Sequence, residues 1–318
     1  MGKTSKSNIV LAVLVVLLTA VGLFQIWRQS EQNRHLREAL VAQQILSEGR
    51  IDQYDDLAEA FPPASKSGPT PHNKRFSWPA GQKVAVTLTY DDGYVTHFKE
   101  VAVLLARHDL KATFYPVGRR SVIEHPEQWA RVYQLGHELG NHSLFHPCQR
   151  PWVNPAYHLA NYNQSRWYDE MIVANYILNS IDSQIERTLA YPCAQKEIGP
   201  LENPVSVKPL VPRLFYAARS YADGEIILPD NLDLYNLPSY AADLNLKNFE
   251  AIRTVIDDAR KHGGWVILTF HEIDEEPGEL VFNHSEHQQL ITFLAQNQEN
   301  IWTASLIEVS RHLRSMGY

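Results

Sequence analysis

From residue 84 to the C-terminus, short apolar runs alternate with amphipathic stretches. Val84-Ala85-Val86-Thr87-Leu88 is β-branched and apolar enough for a buried strand, and Thr89-Tyr90-Asp91-Asp92-Gly93 continues it into a turn. Residues 96–108 then set Phe98, Val101, Leu104 and Leu105 on one helical face, and a second strand follows at Ala112–Val117. The pattern goes on to predict helices over 127–138 and 167–187, with strands at Leu189–Tyr191 and Phe215–Arg219. Last come helix 249–262, strand Trp265–Phe270, helix 285–297, strand Ile301–Thr303 and a closing helix Leu306–Leu313. This β-α alternation predicts an α/β fold with a parallel sheet, and at this length a distorted (β/α) barrel is the expected closure. Function in such folds gathers at the C-terminal ends of strands, where Asp91, Asp92 and His271 fall.

The N-terminal quarter reads differently. After a short tail of residues 1–7, Asn8 to Trp27 carries no charge, and at 1.5 Å per residue its length matches a bilayer core of about 30 Å. A transmembrane anchor over 8–27 is the expectation. A cleaved signal peptide is the alternative, although its apolar region usually runs only about 7–15 residues. Lys3 and Lys6 before the span and Arg28, Arg34 and Arg37 after it leave the orientation open. Residues 28–75 read as a polar helical stalk and then a linker broken by Pro62, Pro63, Pro69 and Pro71. A catalytic domain is expected over 76–318.

Composition narrows the partners. A formal charge of −7, with no run of Lys and Arg able to track phosphates, argues against nucleic acid. Two cysteines, Cys148 and Cys193, are too few for a disulfide-built scaffold and enough for one bridge.

Two clusters carry chemistry. In Asp91-Asp92-Gly93, alternation along the strand sends neighbouring carboxylates in different directions, and the glycine lets the chain turn. Read alone, such a triplet is an ordinary solvated turn. In Asn141-His142-Ser143-Leu144-Phe145-His146-Pro147, histidines four apart are expected on one side of a helical turn, where they could share a metal. Among 14 histidines one such spacing is weak by itself. One carboxylate and two imidazoles nevertheless make a three-ligand set with a position left for water.

The segment Thr89-Tyr90-Asp91-Asp92-Gly93 resembles the T-F-D-D-G motif of the polysaccharide deacetylase (NodB-homology, carbohydrate esterase) family. His142-Ser143-Leu144-Phe145-His146-Pro147 resembles its H-[ST]-x-x-H-P motif, Ala190-Tyr191-Pro192-Cys193 its third, and Ile267–His271 its last. The resemblance spans roughly residues 80 to 312 and implies a metal-dependent hydrolase that removes acetyl groups from sugars. Carried over position by position, Asp91 is the general base, and Asp92, His142 and His146 hold a divalent metal, zinc by preference. The Tyr191-Pro192-Cys193 loop supplies the oxyanion donor through the Cys193 amide, and His271 is the general acid.

This sequence departs from the family pattern twice. Ala190 stands where many members have an arginine that pairs with the base; Arg219 is the nearest substitute. The motif that supplies a carboxylate for the proton donor is degenerate, and Asp223 is its candidate replacement, with a plain turn aspartate as the competing explanation. In the frame of the resemblance Cys148 and Cys193 fall on loops around one site, and a disulfide between them is expected, against two separate thiols or soft metal ligation. Tyr94, Trp152, Tyr157, Tyr162, Trp167 and Tyr191 lie near the motifs; most are expected in the core and one or two in a sugar-binding groove. The whole implies an enzyme on the cell membrane, single-pass, its domain extracytoplasmic, acting on an N-acetylated or O-acetylated polysaccharide. A hydrolase of small non-peptide amides on the same barrel is the alternative from another reaction class, and an inactive glycan-binding domain a third.

Overall fold

The computed structural model of the chain describes residues 75–151, 153–220 and 224–318. The expected anchor at 8–27, the stalk and linker up to residue 74, Trp152 and Asp223 lie outside the described residues. Among the described residues no helix is long and apolar enough to cross a membrane.

The strands in chain order are β1 (Val84–Asp92), β2 (Thr113–Pro116), β3 (Glu138–Leu139), β4 (Thr188–Ala190), β5 (Glu197–Ile198), β6 (Val205–Ser206), β7 (Ala217–Arg219), β8 (Tyr240–Ala241), β9 (Trp265–Phe270), β10 (Glu272–Asp274), β11 (Val281–Asn283) and β12 (Ile301–Thr303). The helices are α1 (Ala102–Arg107), α2 (Pro126–Gln134), α3 (Gln164–Asp182), α4 (Val211–Leu214), α5 (Phe249–His262), α6 (His284–Gln296) and α7 (Leu306–Ser315).

All pairing around β1 is parallel. β9 lies along one side, and β2 and β12 share the other. A strand covered on both faces must be apolar nearly throughout, which is why β1 reads as a continuous run. Its alternation sorts two cores. Val84, Val86, Leu88 and Tyr90 join Phe114, Trp129, Ile252, Ile256, Leu290 and Leu294 between sheet and helices. Ala85 faces the other way, among Trp265, Ile267, Ala217 and Leu306. Asp91 shares the parity of Ala85, Thr87 and Thr89, so β1 aims its first carboxylate inward.

The main sheet runs β3-β2-β1-β9-β8. β4 and β7 form a separate parallel pair, and two single-residue bridges close the circuit: Asn141 to Leu189 joins the end of β3 to β4, and Arg219 to Leu237 joins β7 to the segment entering β8. The ring is the distorted barrel the alternation predicts, with one-residue seams on either side of β4 and β7.

Helix ends follow local chemistry. Asn163, Asn248, Asn283 and Ser305 cap α3, α5, α6 and α7 through their side-chain oxygens, and Glu308 completes a capping box with Ser305. Two expected spans need correction. The helix over 127–138 stops at Gln134, because Gly136 turns the chain (φ 91°) into β3. The helix over 167–187 is α3, which begins earlier and ends at Asp182, where Ser183 is left-handed and Asp182 pairs with buried Arg187.

Candidate active site

The strand ends bring the two sequence clusters together. After Asp91, Asp92 takes a left-handed backbone (φ 69°), and Gly93 continues the turn (φ 78°). A side chain on Gly93 would meet Ser121 Oγ at 2.4 Å, and the Ser121 hydroxyl donates to the Gly93 carbonyl at 2.7 Å. Glycine is therefore required here by close approach as well as by φ.

His142 and His146 do not sit on a helical turn, which corrects the expectation from their spacing. They lie on a loop held by left-handed Ser143 (φ 64°) and His146 (φ 57°), and their ring centroids are 4.8 Å apart. Polar contacts stand in for helical bonds. The Asn141 amide oxygen accepts from the Ser143 N–H at 2.6 Å, the Ser143 hydroxyl from the His146 N–H at 2.8 Å, and buried Glu170 from the Phe145 N–H at 3.0 Å. Glu170 also accepts from the Tyr162 hydroxyl at 2.7 Å. Nothing in the sequence marks Glu170, which is a single acid in a long helix.

Asp92, His142 and His146 offer three ligand atoms within 4.8 Å of one another. His146 Nε2 is 3.4 Å and His142 Nε2 3.9 Å from Asp92 Oδ1. His142 Nδ1 donates to the Ala190 carbonyl at 2.9 Å, which leaves the Nε2 lone pair facing Asp92. Burial depresses both imidazoles, His146 to about 4, so they are neutral at ordinary pH. Burial raises the Asp92 carboxyl, but the charges of His146, His142 and Arg120 outweigh it and hold it at about 2. One ionised carboxylate and two neutral imidazoles on a shared point suit a divalent cation.

Asp91 stands beside that point, its Oδ2 4.0 Å from His142 Nε2. Both its oxygens accept from Arg219 Nη2, at 2.6 and 2.5 Å, with both side chains buried. Arg219 is fixed in turn by Thr269, whose hydroxyl lies 2.9 Å from Nη1, and it overlies the Tyr115 ring. Burial opposes the Asp91 charge, yet Arg219, His142 and His271 together hold its carboxyl below the usual range.

His271 directly follows β9, which pairs with β1 through Tyr90 and Phe270. Its Nδ1 and its backbone N–H both meet Asp243 Oδ2, at 2.7 and 2.8 Å. Burial works against the imidazolium, but the Asp243 hydrogen bond and charge, then Asp91 and Asp92, lift it to about 8. The carboxylate against His271 is thus Asp243; Asp223, the sequence candidate, lies outside the described residues. Asp243 follows the two-residue strand β8, too short to mark its neighbour as a strand-end acid.

The third motif forms a tight turn at Pro192–Ala194, with Cys193 (φ 51°) and Ala194 (φ 59°) both left-handed. Cys148 and Cys193 are joined by a disulfide, which ties the histidine loop to this turn. Tyr191 is buried and donates its hydroxyl to the Tyr235 carbonyl. Tyr162 and Trp167 are also buried, whereas Tyr94 and Tyr157 are partly exposed.

Comparison with known proteins agrees with this geometry. Residues 79–197 match the family model of polysaccharide deacetylases. The chain is 23% identical over 260 residues to a gellan lyase of a Bacillus species, covering 74% of this chain and 10% of that one. It is 32% identical over 100 residues to a peptidoglycan-N-acetylglucosamine deacetylase of Bacillus cereus, covering 31% of this chain and 32% of the relative. The matches therefore span about a tenth and a third of these relatives' own lengths. A polysaccharide deacetylase crystal structure from Mycobacterium smegmatis shares the fold, with a TM-score of 0.57 at 16% identity over 77% of this chain and 94% of that one. The matched span, residues 79–197, holds the aspartate pair on β1 and the histidine loop, and through it the chain is similar to polysaccharide deacetylases.

Proposed function

We propose that the chain is a metal-dependent hydrolase that removes acetyl groups from an N-acetylated, or O-acetylated, polysaccharide. The observation that carries this reading is the pair of separately tuned proton groups beside one ligand cluster: Asp91 on Arg219, and His271 on Asp243. A turn or a plain binding surface has no need of a base held ionised and an imidazole held protonated beside three convergent ligand atoms.

In this reading Asp92, His142 and His146 hold a divalent cation, zinc by preference, which when bound polarises the acetyl carbonyl and acidifies water. Asp91, ionised and fixed by Arg219, takes the proton from the attacking water. The Cys193 amide faces the developing oxyanion from its left-handed turn. His271, charged up to about pH 8, returns a proton to the departing nitrogen or oxygen of the sugar. A disulfide beside the site and the apolar stretch at 8–27 favour an extracytoplasmic domain tethered to a membrane.

The test is acetate release from N-acetylglucosamine oligomers, peptidoglycan fragments and acetylxylan by the metal-loaded protein. Release that ceases in Asp91→Asn and His271→Ala variants is expected. Silence across all three substrates, with metal bound, would remove the reading and leave the small-amide alternative.

A further inference from the structure

Between β2 and α2 the chain makes a turn, Gly118–Val122, that carries two adjacent exposed arginines, Arg119 and Arg120. The turn is wedged between the two segments that bear the ligand cluster. On one side the Gly118 and Arg119 N–H groups donate to the Ser143 and Leu144 carbonyls at 3.0 and 2.9 Å, docking it on the histidine loop. A side chain at Gly118 would press on Leu144, at 3.0 Å, so the approach is close. On the other side Ser121 grips the Gly93 carbonyl, and the buried Trp129 indole donates to the Ser121 hydroxyl at 3.1 Å. Backbone and buried side chains fix this turn; the arginines take no part in holding it.

Each guanidinium is nevertheless aimed. Arg120 Nη2 lies 3.0 Å from Asp92 Oδ1 with 59% of its side chain exposed. Arg119 Nη1 donates to the Tyr157 hydroxyl at 3.1 Å and overlies the Phe145 ring, which stacks on Tyr157 at 4.6 Å between centroids. Phe145 lies between His142 and His146 in sequence, so the aromatic pair, both rings partly exposed, borders the same cluster. An arginine has five donors in a planar fork, and these two spend one each on the partners named, leaving fork edges open to solvent. The acid beside them is Asp92, already engaged with Arg120 and His146. A neutral sugar needs an aromatic face and a few neutral donors; two forks beside a stacked ring pair suit a planar anion.

We propose that Arg119 and Arg120 form an anion-reading subsite that selects an acidic glycan, one whose sugar next to the acetylated unit carries a carboxylate. The subsite deepens the deacetylase reading and rests on it for the position of the acetylated sugar. The carboxylate takes the free fork edges, its sugar ring lies against Phe145 and Tyr157, and the neighbouring acetyl group is thereby presented to the cluster at Asp92.

The test uses the metal-loaded full chain and oligosaccharides of alternating N-acetylglucosamine and glucuronic acid, against the same oligosaccharides with every carboxylate methyl-esterified. Acetate release gives kcat/KM, and calorimetric titration gives affinity without turnover. The acid form is expected to be favoured about tenfold or more in both, the advantage shrinking as salt is raised. In an Arg119→Gln/Arg120→Gln variant the acid-to-ester ratio falls to about one, and Arg119→Lys/Arg120→Lys, which keeps charge without the fork, falls between. Equal treatment of acid and ester by the wild type, or an undiminished ratio in the glutamine variant, overturns the subsite. Rapid release from the ester with no acid preference overturns it and leaves the deacetylase reading standing. An acid preference in binding without acetate release from either form does the reverse.

Discussion

Arg219, the last residue of β7, closes on Asp91 in β1 across 128 positions of sequence, its Nη2 within 2.6 Å of both carboxylate oxygens. The cation absent from the third motif at Ala190 is thus supplied from a different strand. Because the pair is buried, removing the guanidinium strands a charge. Arg219→Met is expected to lose about 3–5 kcal/mol of unfolding free energy in urea, with part of it restored in Arg219→Met/Asp91→Asn.

The same substitution has a kinetic sign. Asp91 must be ionised to act as a base, and Arg219 holds its carboxyl below the ordinary range. Without that cation, burial raises it against only the lesser charges of His142 and His271, so the acid limb of kcat/KM in Arg219→Gln moves to higher pH, by about one unit or more. An acid limb unmoved in a folded variant would remove Arg219 from the tuning of the base.

In the proposed mechanism the basic limb belongs to His271. Its raised pKa, about 8, keeps the imidazolium present from acid pH up to that value, and activity falls as pH rises through it. Asp243→Asn takes away the largest raising influence and leaves burial, which lowers, against the lesser charges of Asp91 and Asp92. The basic limb is expected to drop below the ordinary imidazole value of about 6.5, with kcat reduced roughly 10–100-fold. A pH profile of kcat checks both.

Glu170 touches none of the ligand atoms, yet it holds the Phe145 N–H inside the histidine loop. Glu170→Ala is expected to weaken metal binding about 10–100-fold, as loss of outer support commonly does. Competition against a coloured chelator measures it, and Asp92→Ala, His142→Ala or His146→Ala should abolish binding in the same assay.

Much of the frame was legible because burial on both faces leaves a plain signal. β9, β12 and α5 were read to their observed ends, β9 most plainly, from a run buried along its whole length. β3 and β8, two residues each, carry no period, and with β8 went Asp243. The histidine pair was legible as chemistry and not as geometry: spacing of four suggests a helix, and only left-handed Ser143 and His146 reveal a loop. Arg219 was found by its place at a strand end, which is a topological clue; Glu170 and Arg120 act across distant contacts that a linear pattern does not encode.

The seam at Asn141 and Leu189 is a single bridge, and the Cys148–Cys193 disulfide crosses from the same loop to the turn just after β4. What hydrogen bonding does elsewhere around the barrel, a covalent bond completes here. With the two thiols reduced, the ring is fastened at this point by one residue pair. Preparations in which the bond has not formed would carry a looser histidine loop, and hence a poorer ligand cluster, at unchanged sequence.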